Sequence, residues 1–348
     1  MRLFISYTLL VIITFSTTQP VIAETQKNDL SQMLTLYFEN DAFFGTDYLY
    51  TNGIKLALTS TNLESSKNDH LLNSMAYALS QKLPFICNSN LRHAFSLAIG
   101  QNIYTPEDTK DTELIENDRP YAGFTYFEMG LSGKDRRKMS SWELVLGIVG
   151  PHSYAEDTQK AVHEWNGWES PAGWDNQLKD EPVLNLLFTQ RYKLAYETPG
   201  GKWGCDLIPV WGIGLGNLYT GAQAGTQLRF GWNLPEDFGT SLIRPGTDTN
   251  AMLGSDGRSA LDRLGRISLH LFIGVDSFYL LRNLTLDGNT YQESHSVDKE
   301  PLVTSFMVGL GLTFTRFKIS FAHVYQTKEF KGQDDQLEFG SITFNYLY

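Results

Sequence analysis

Apolar and polar residues alternate along most of this chain. Leu34, Leu36 and Phe38 fall on one side of their segment, and Ile54, Leu56 and Leu58 lie opposite Lys55. The same pattern recurs with Phe95, Leu97 and Ile99, with Trp142, Leu144, Leu146 and Ile148, with Ile267, Leu269, Leu271 and Ile273, and with Phe317, Ile319 and Phe321. A period of two with one continuous apolar side predicts strands with unlike faces. About twelve such segments are expected, near 33–39, 51–60, 93–103, 121–132, 141–150, 183–196, 203–216, 221–234, 265–279, 301–315, 316–329 and 337–348. Most reach the roughly 9–11 residues that a tilted membrane-crossing strand needs. Their second face is small or polar, which suits a barrel lumen. The last segment closes on Ile342, Phe344, Tyr346 and Tyr348 along one face. These features predict an all-β fold, a transmembrane antiparallel barrel of about twelve strands, because closure removes strand edges that lipid cannot satisfy. A soluble periplasmic β protein is the alternative.

Composition narrows the classes further. The 348 residues are 42% hydrophobic, 13% aromatic and 19% charged, with net charge −11 and mean hydropathy −0.25. Disordered chains hold fewer apolar and aromatic residues. The acidic balance, with no basic run, argues against a nucleic-acid partner. Met1–Ala23 has Arg2, an apolar stretch from Leu3 to Phe15 and the ending Val21-Ile22-Ala23, which reads as a secretory signal peptide. Residues 24–348 then form one exported barrel domain, expected to act as a monomer. Cys87 and Cys205 are too few for a disulfide scaffold, and neither sits in a CxxC or Cys/His cluster. Whether they pair is open.

If the first strand runs outward, the outer loops are 40–50, 104–120, 151–182, 217–220, 280–300 and 330–336. Two inner connections, 61–92 and 235–264, are unusually long for periplasmic turns. Within the first, 71–79 reads as a short helix ending before Pro84. The longest outer loop is expected to carry a helix over 155–165, with His163 on the side of Gln159 and Gly167. Most of Trp165, Trp168 and Trp174 are expected to pack that loop. Polar residues also gather at Glu39-Asn40-Asp41, Tyr50-Thr51-Asn52-Gly53, Gln101 to Pro106 and Glu116 to Phe124. A turn-forming role suits the first of these as well as a functional one. The two strand ends adjoin in a hairpin, so Asp41 and Thr51 could face one site. An Arg119–Asp118 pair bracing its loop is the expectation for the last.

At these residues the chain resembles the outer-membrane lipid A 3′-O-deacylase family. The matching pieces are Asn40-Asp41, Tyr50-Thr51-Asn52-Gly53, Gln101-Asn102-Ile103-Tyr104-Thr105-Pro106, Asn117-Asp118-Arg119-Pro120-Tyr121-Ala122-Gly123, Gly147 to Pro151, His163 and Trp174-Asp175-Asn176-Gln177, in family order. The resemblance implies a twelve-stranded barrel and a Ca2+-dependent ester hydrolase that removes the 3′-acyloxyacyl chain of lipid A, in lipopolysaccharide of the outer leaflet. It implies outer-membrane lipids as partners and a site between the barrel wall and the loop helix. His163 takes the place of the family's general base, and Asn40 and Asp41 that of its Asn-Asp pair. The family's strand-two hydroxyl falls on Thr51 and its Glu on Glu169, Lys110 is nearest to a substrate-facing lysine, and Asp41, Thr51 and Glu169 could supply oxygen ligands to the metal. Ala42 stands where family members carry a further Asp.

Chemically, His163 could activate water, and a metal with the Asn40 amide could hold the oxyanion. No Gly-x-Ser-x-Gly elbow is present. The alternatives are an outer-membrane phospholipase, for which only His152-Ser153 and His295-Ser296 offer His-Ser pairs, both in predicted loops, or a non-enzymatic porin or adhesion barrel.

Overall fold

The computed structural model describes residues 32–44, 49–60, 63–66, 70–197, 202–243 and 267–348, so the expected signal peptide lies outside the described residues. The strands are β1 (Gln32–Asn40), β2 (Leu49–Ser60), β3 (Arg92–Thr105), β4 (Ala122–Lys134), β5 (Lys138–Val149), β6 (Glu181–Tyr192) and β7 (Leu194–Glu197). They continue as β8 (Trp203–Gly216), β9 (Tyr219–Trp232), β10 (Ser268–Asn283), β11 (Leu302–Phe314), β12 (Phe317–Gln326) and β13 (Leu337–Leu347). Each pairs antiparallel with its neighbours, and the β1–β13 and β6–β8 ladders close the sheet on itself. β6 and β7 both pair with β8 and are one barrel strand interrupted at Lys193. The result is a closed twelve-stranded barrel. Among the described residues no helix is long and apolar enough to span a membrane.

Parity is kept around the wall. Leu36, Ile54, Leu56, Leu58 and Ile99 point outward and are exposed, while Thr35, Tyr37, Lys55, Ala57 and Ala98 point inward and are buried. Exposed carbon on the outer face is what hydrocarbon solvates at no cost.

Buried ion pairs cross the lumen. Lys55 donates to both Glu128 carboxylate oxygens at 3.2 Å and lies over the Tyr37 ring. Arg229 forks onto Asp206 at 2.8 and 2.6 Å and also pairs with Asp237, which in turn accepts from Lys318. Asp237 belongs to the long inner connection after β9, whose described part, residues 233–243, enters the lumen. Phe238, Leu242 and Ile243 are buried there, and Ile243 joins Tyr37, Ala57 and Ala98 in an inward-facing cluster. The Ile243 amide donates to Glu39 at 2.7 Å. Charges in such a place persist because each has an opposite partner in bonding range.

The other long inner connection goes outside. It holds α1 (Leu63–Ser66) and α2 (Leu71–Ser80), the latter where a helix was expected. At the opposite end, α3 (Ala155–Asn166) occupies the longest outer loop and α4 (Leu284–Asp287) follows β10. Arg119 does brace its loop, but through Glu329 (2.9 Å) and Thr285 (3.2 Å), with Tyr104 beneath it. Asp118 instead accepts backbone amides of Glu107 and Arg119, so the expected Arg119–Asp118 pair is replaced by a link between outer loops. Cys87 and Cys205 are both free thiols.

Removing Asp237 takes the carboxylate from buried Lys318 and leaves Arg229 with Asp206 alone. Asp237→Ala is expected to lower barrel stability by about 3–5 kcal/mol, read as a fall in the urea midpoint of the detergent-folded protein. An unchanged midpoint would mean that the network contributes nothing.

Candidate functional site

Following each strand's outward parity towards the outer rim leads from carbon to polar side chains. Leu34, Leu36 and Phe38 are succeeded by Asn40, and Leu58, Leu56 and Ile54 by Asn52. Leu97 and Ile99 are succeeded by Gln101 and, past Ile103, by Thr105; Phe127 is succeeded by Thr125. The register sets Asn40 against Asn52, Asn52 against Ile103 and Gln101 against Thr125, so these residues form one patch on the outside of β1–β4. Polar groups on a wall that elsewhere meets hydrocarbon must be covered or used.

A bulge shapes the patch. The β2–β3 register slips between Tyr50 and Asn52, leaving Thr51 as the extra residue. Its hydroxyl lies 2.9 Å from that of Thr105, so it faces outward with its neighbour Asn52. Bulges re-aim side chains in this way. Asn40 donates through Nδ2 to the Thr51 carbonyl at 2.8 Å, using one of the two N–H groups an amide carries. Asp41 opens a 3-10 turn one residue beyond the last registered β1–β2 pair, on the side of Thr51, and is fully buried.

α3 covers the neighbouring part of the wall. Ala155 packs with Ile103, Tyr121 and Trp174. Gly123 of β4 permits this approach, since a Cβ there would stand 2.2 Å from the Ala155 Cβ. Gln101 and Thr125 donate to the Ser153 carbonyl at 2.8 and 2.7 Å, fastening the start of the helix to the strands. The helix buries Ala155, Gln159 and His163, and Trp174 donates to Gln159 at 2.9 Å. Gly167, at φ 68°, ends it in the left-handed region. The expectation that most loop tryptophans are packed holds for Trp174 alone, at 1% exposure. Trp165, at 71%, and Trp168 are exposed, because they lie off the Ala155–Gln159–His163 face that meets the wall.

His163 is held in one tautomer. Its Nδ1 lies 2.6 Å from the Glu169 carbonyl oxygen. A carbonyl can only accept, so Nδ1 carries the proton and Nε2 is the basic nitrogen of the neutral ring. The Trp168 ring stands edge-on at 5.6 Å. Glu169 thus serves His163 through its backbone. Its carboxylate, expected to be a metal ligand, instead pairs with Lys110 at 2.6 Å on the surface. That carboxylate raises the Lys110 pKa.

The site residues expected from the sequence therefore fall into two groups. Asn40, Asp41 and Thr51 share the β1–β2 rim, while His163 and Glu169 lie in the β5–β6 loop, to which Lys110 of the β3–β4 loop is tied through Glu169. β3 borders both, carrying Thr105 against Thr51 and Ile103 against the α3 region. Among the described residues no three His, Cys, Asp or Glu side chains gather as a metal cluster. The fit to a metal rests on donor chemistry: Asp41, Thr51 and nearby carbonyls offer only oxygen, which suits a hard cation such as Ca2+. Glu169 spends one carboxylate oxygen on Lys110. Asn52, Gln101, Thr105 and Thr125 join the patch beyond the expected residues, and strand parity is the signal that finds them: each continues an apolar face with a polar residue. The two His-Ser pairs are spent on loop structure, His152 with Asp180 (2.5 Å) and His295 with the Asp118 carbonyl (2.7 Å).

Gly123→Val is expected to lift α3 from β4. Protease cleavage within 150–180 should rise while the barrel remains heat-modifiable on gels. Unchanged cleavage would show that α3 does not depend on this contact.

A family model described as outer membrane protein LpxR matches residues 8–348. Among solved structures, LpxR from Salmonella typhimurium aligns with TM-score 0.70 at 18% identity, over 91% of this chain and 100% of that one, a likeness of fold. The β domain of the Bordetella autotransporter BrkA aligns with TM-score 0.42 at 8% identity, over 91% of this chain and 98% of its own. No curated protein sequence matches. With a family match over nearly its whole length and a closed twelve-stranded barrel, the chain belongs to the LpxR family of outer-membrane proteins.

Proposed function

We propose that this outer-membrane barrel is a Ca2+-dependent carboxylic ester hydrolase that removes the 3′-acyloxyacyl chain of lipid A from the outer leaflet. The observation carrying this reading is His163, buried and fixed with Nε2 as its base on a helix whose start Gln101 and Thr125 fasten to a face otherwise made of carbon. A substrate whose acyl chains lie in the membrane would approach that face without leaving the bilayer.

In this reading His163 Nε2 takes a proton from water as the water oxygen attacks the ester carbonyl carbon. The tetrahedral intermediate collapses with cleavage of the C–O bond, and His163 returns the proton to the sugar oxygen. The Asn40 amide donates to the developing oxyanion. Asp41 and Thr51, with nearby backbone carbonyls, would hold Ca2+, which would polarise the ester carbonyl. Lys110, exposed at the loop surface, offers a cation to the phosphates of the lipid.

Ion pairs and an inserted segment obstructing the lumen favour this reading over a porin. Lys55, Lys134, Arg119 and Arg229 are fully buried, and residues 233–243 occupy the interior.

His163→Ala and Asp41→Ala are each expected to lower turnover by at least about 10²-fold while the barrel stays heat-modifiable. Near-native turnover in either variant would remove that residue from the mechanism. Lys110→Ala should raise KM more than it lowers kcat, with the difference shrinking at high salt; a kcat loss alone would place Lys110 in the chemical step. The decisive assay incubates purified protein with lipid A, with calcium or with chelator, and weighs the products. Loss of the acyloxyacyl mass only with calcium supports hydrolysis and metal together. Fatty acid released from glycerophospholipid instead would make the protein a phospholipase, and unchanged lipid would leave a non-enzymatic barrel.

A further inference from the structure

The connection between β2 and β3 wraps the lipid-facing side of the barrel at the end where β1 begins and β13 finishes. A single register row sets Phe95 against Leu131, Leu131 against Trp142 and Trp142 against Phe188 across β3–β6, all pointing outward. Elsewhere such positions are exposed, but here Leu131 and Phe188 are buried. The cover is the α1–α2 segment: Leu63, Ala76 and Ile86 cluster with Leu131, and Tyr77, Leu83, Phe95 and Trp142 pack at the edge. Phe85 lies 4.8 Å from the Phe188 ring, and Trp142 donates to the Pro84 carbonyl at 3.0 Å. His93, also outward and fully buried, bonds Glu64 with one ring nitrogen and the Ile86 carbonyl with the other, at 2.8 Å. Gly133 opposite it leaves the space that Ile86 fills, since a Cβ there would come within 2.9 Å.

Held this way, α2 has its polarity reversed relative to a helix in water. The side meeting the barrel buries Ala76 and Ser80, whereas Leu71 (76% exposed), Leu72, Met75 (60% exposed) and Leu79 face away. Phe85 extends the same exposed apolar surface. No residue of Leu71–Ser80 is charged, and exposed Lys82 follows after Gln81. A helix in water turns its larger apolar side chains inward. One lying in a membrane interface turns them to lipid, with a basic side chain reaching the headgroups.

We infer that α2, with Phe85, is an interfacial helix immersed among the phospholipid acyl chains of the periplasmic leaflet. Its exposed face continues the lipid-facing wall of β3–β6, to which it is fastened, and acyl chains are the established occupant of that wall. It widens the barrel's hydrophobic girdle on one side only and gives the long inner connection a role independent of the outer-leaflet chemistry.

The test places a nitroxide at Leu72→Cys in full-length protein whose Cys87 and Cys205 are changed to Ser, reconstituted in phosphatidylethanolamine–phosphatidylglycerol vesicles. Leu186→Cys, on the lipid-facing wall, and Glu113→Cys, in an outer loop, serve as references. Collision with oxygen and with a water-soluble nickel chelate is measured at each. The expected result at Leu72 is the Leu186 pattern: accessible to oxygen and protected from nickel. Nickel access equal to Glu113 would overturn the inference and put the helix in water. Protection from both reagents would overturn it in favour of a covering protein surface, another copy included. Should the Leu72 label impair folding, Met75→Cys gives the same reading from the same face.

Discussion

Backbone hydrogen bonding in hydrocarbon governs everything else in this molecule. No water is present there to satisfy a strand edge, so the sheet must close, and the β1–β13 and β6–β8 ladders close it. Closure divides every strand into an outward and an inward set. From that division follow the lipid-facing rows, the fully buried lumen charges and the meaning of any residue that breaks the alternation.

The two long inner connections solve opposite problems created by that division. A barrel of twelve strands encloses space that its own inward side chains need help to fill. Residues 233–243 supply Phe238, Leu242 and Ile243 as apolar filling and Asp237 as the anion that Arg229 and Lys318 require. The α1–α2 connection instead covers outward residues near the β3–β6 base, using Gly133 and His93 as its seat. One connection completes the inside and the other enlarges the outside.

The candidate site is built where barrel parity yields to polarity. The bulge at Thr51 brings a hydroxyl onto the outer wall, and the Ser153 carbonyl uses Gln101 and Thr125 to bring α3 alongside. A helix held over a membrane-facing wall can offer His163 to a lipid whose tails remain in the bilayer. The same arrangement leaves Trp165 and Trp168 exposed, since the helix has only one side to give to the wall.

Strand number, face assignment and both principal helices were legible in the sequence, because period two and helical spacing are local properties that each segment carries alone. Asn40, Asp41, Thr51, His163, Glu169 and Lys110 were also legible as candidates, through the ordered motifs. Only tertiary structure decided their company. Glu169 reaches His163 by its backbone and Lys110 by its carboxylate, and nothing in residue type distinguishes those two uses. Arg119 joins Glu329, 210 positions away, rather than its neighbour Asp118. The destinations of the inner connections were equally closed to the sequence. Apolar residues such as Leu72 and Phe238 announce burial in carbon, but whether that carbon is lipid or lumen depends on which side of a closed wall the chain passes.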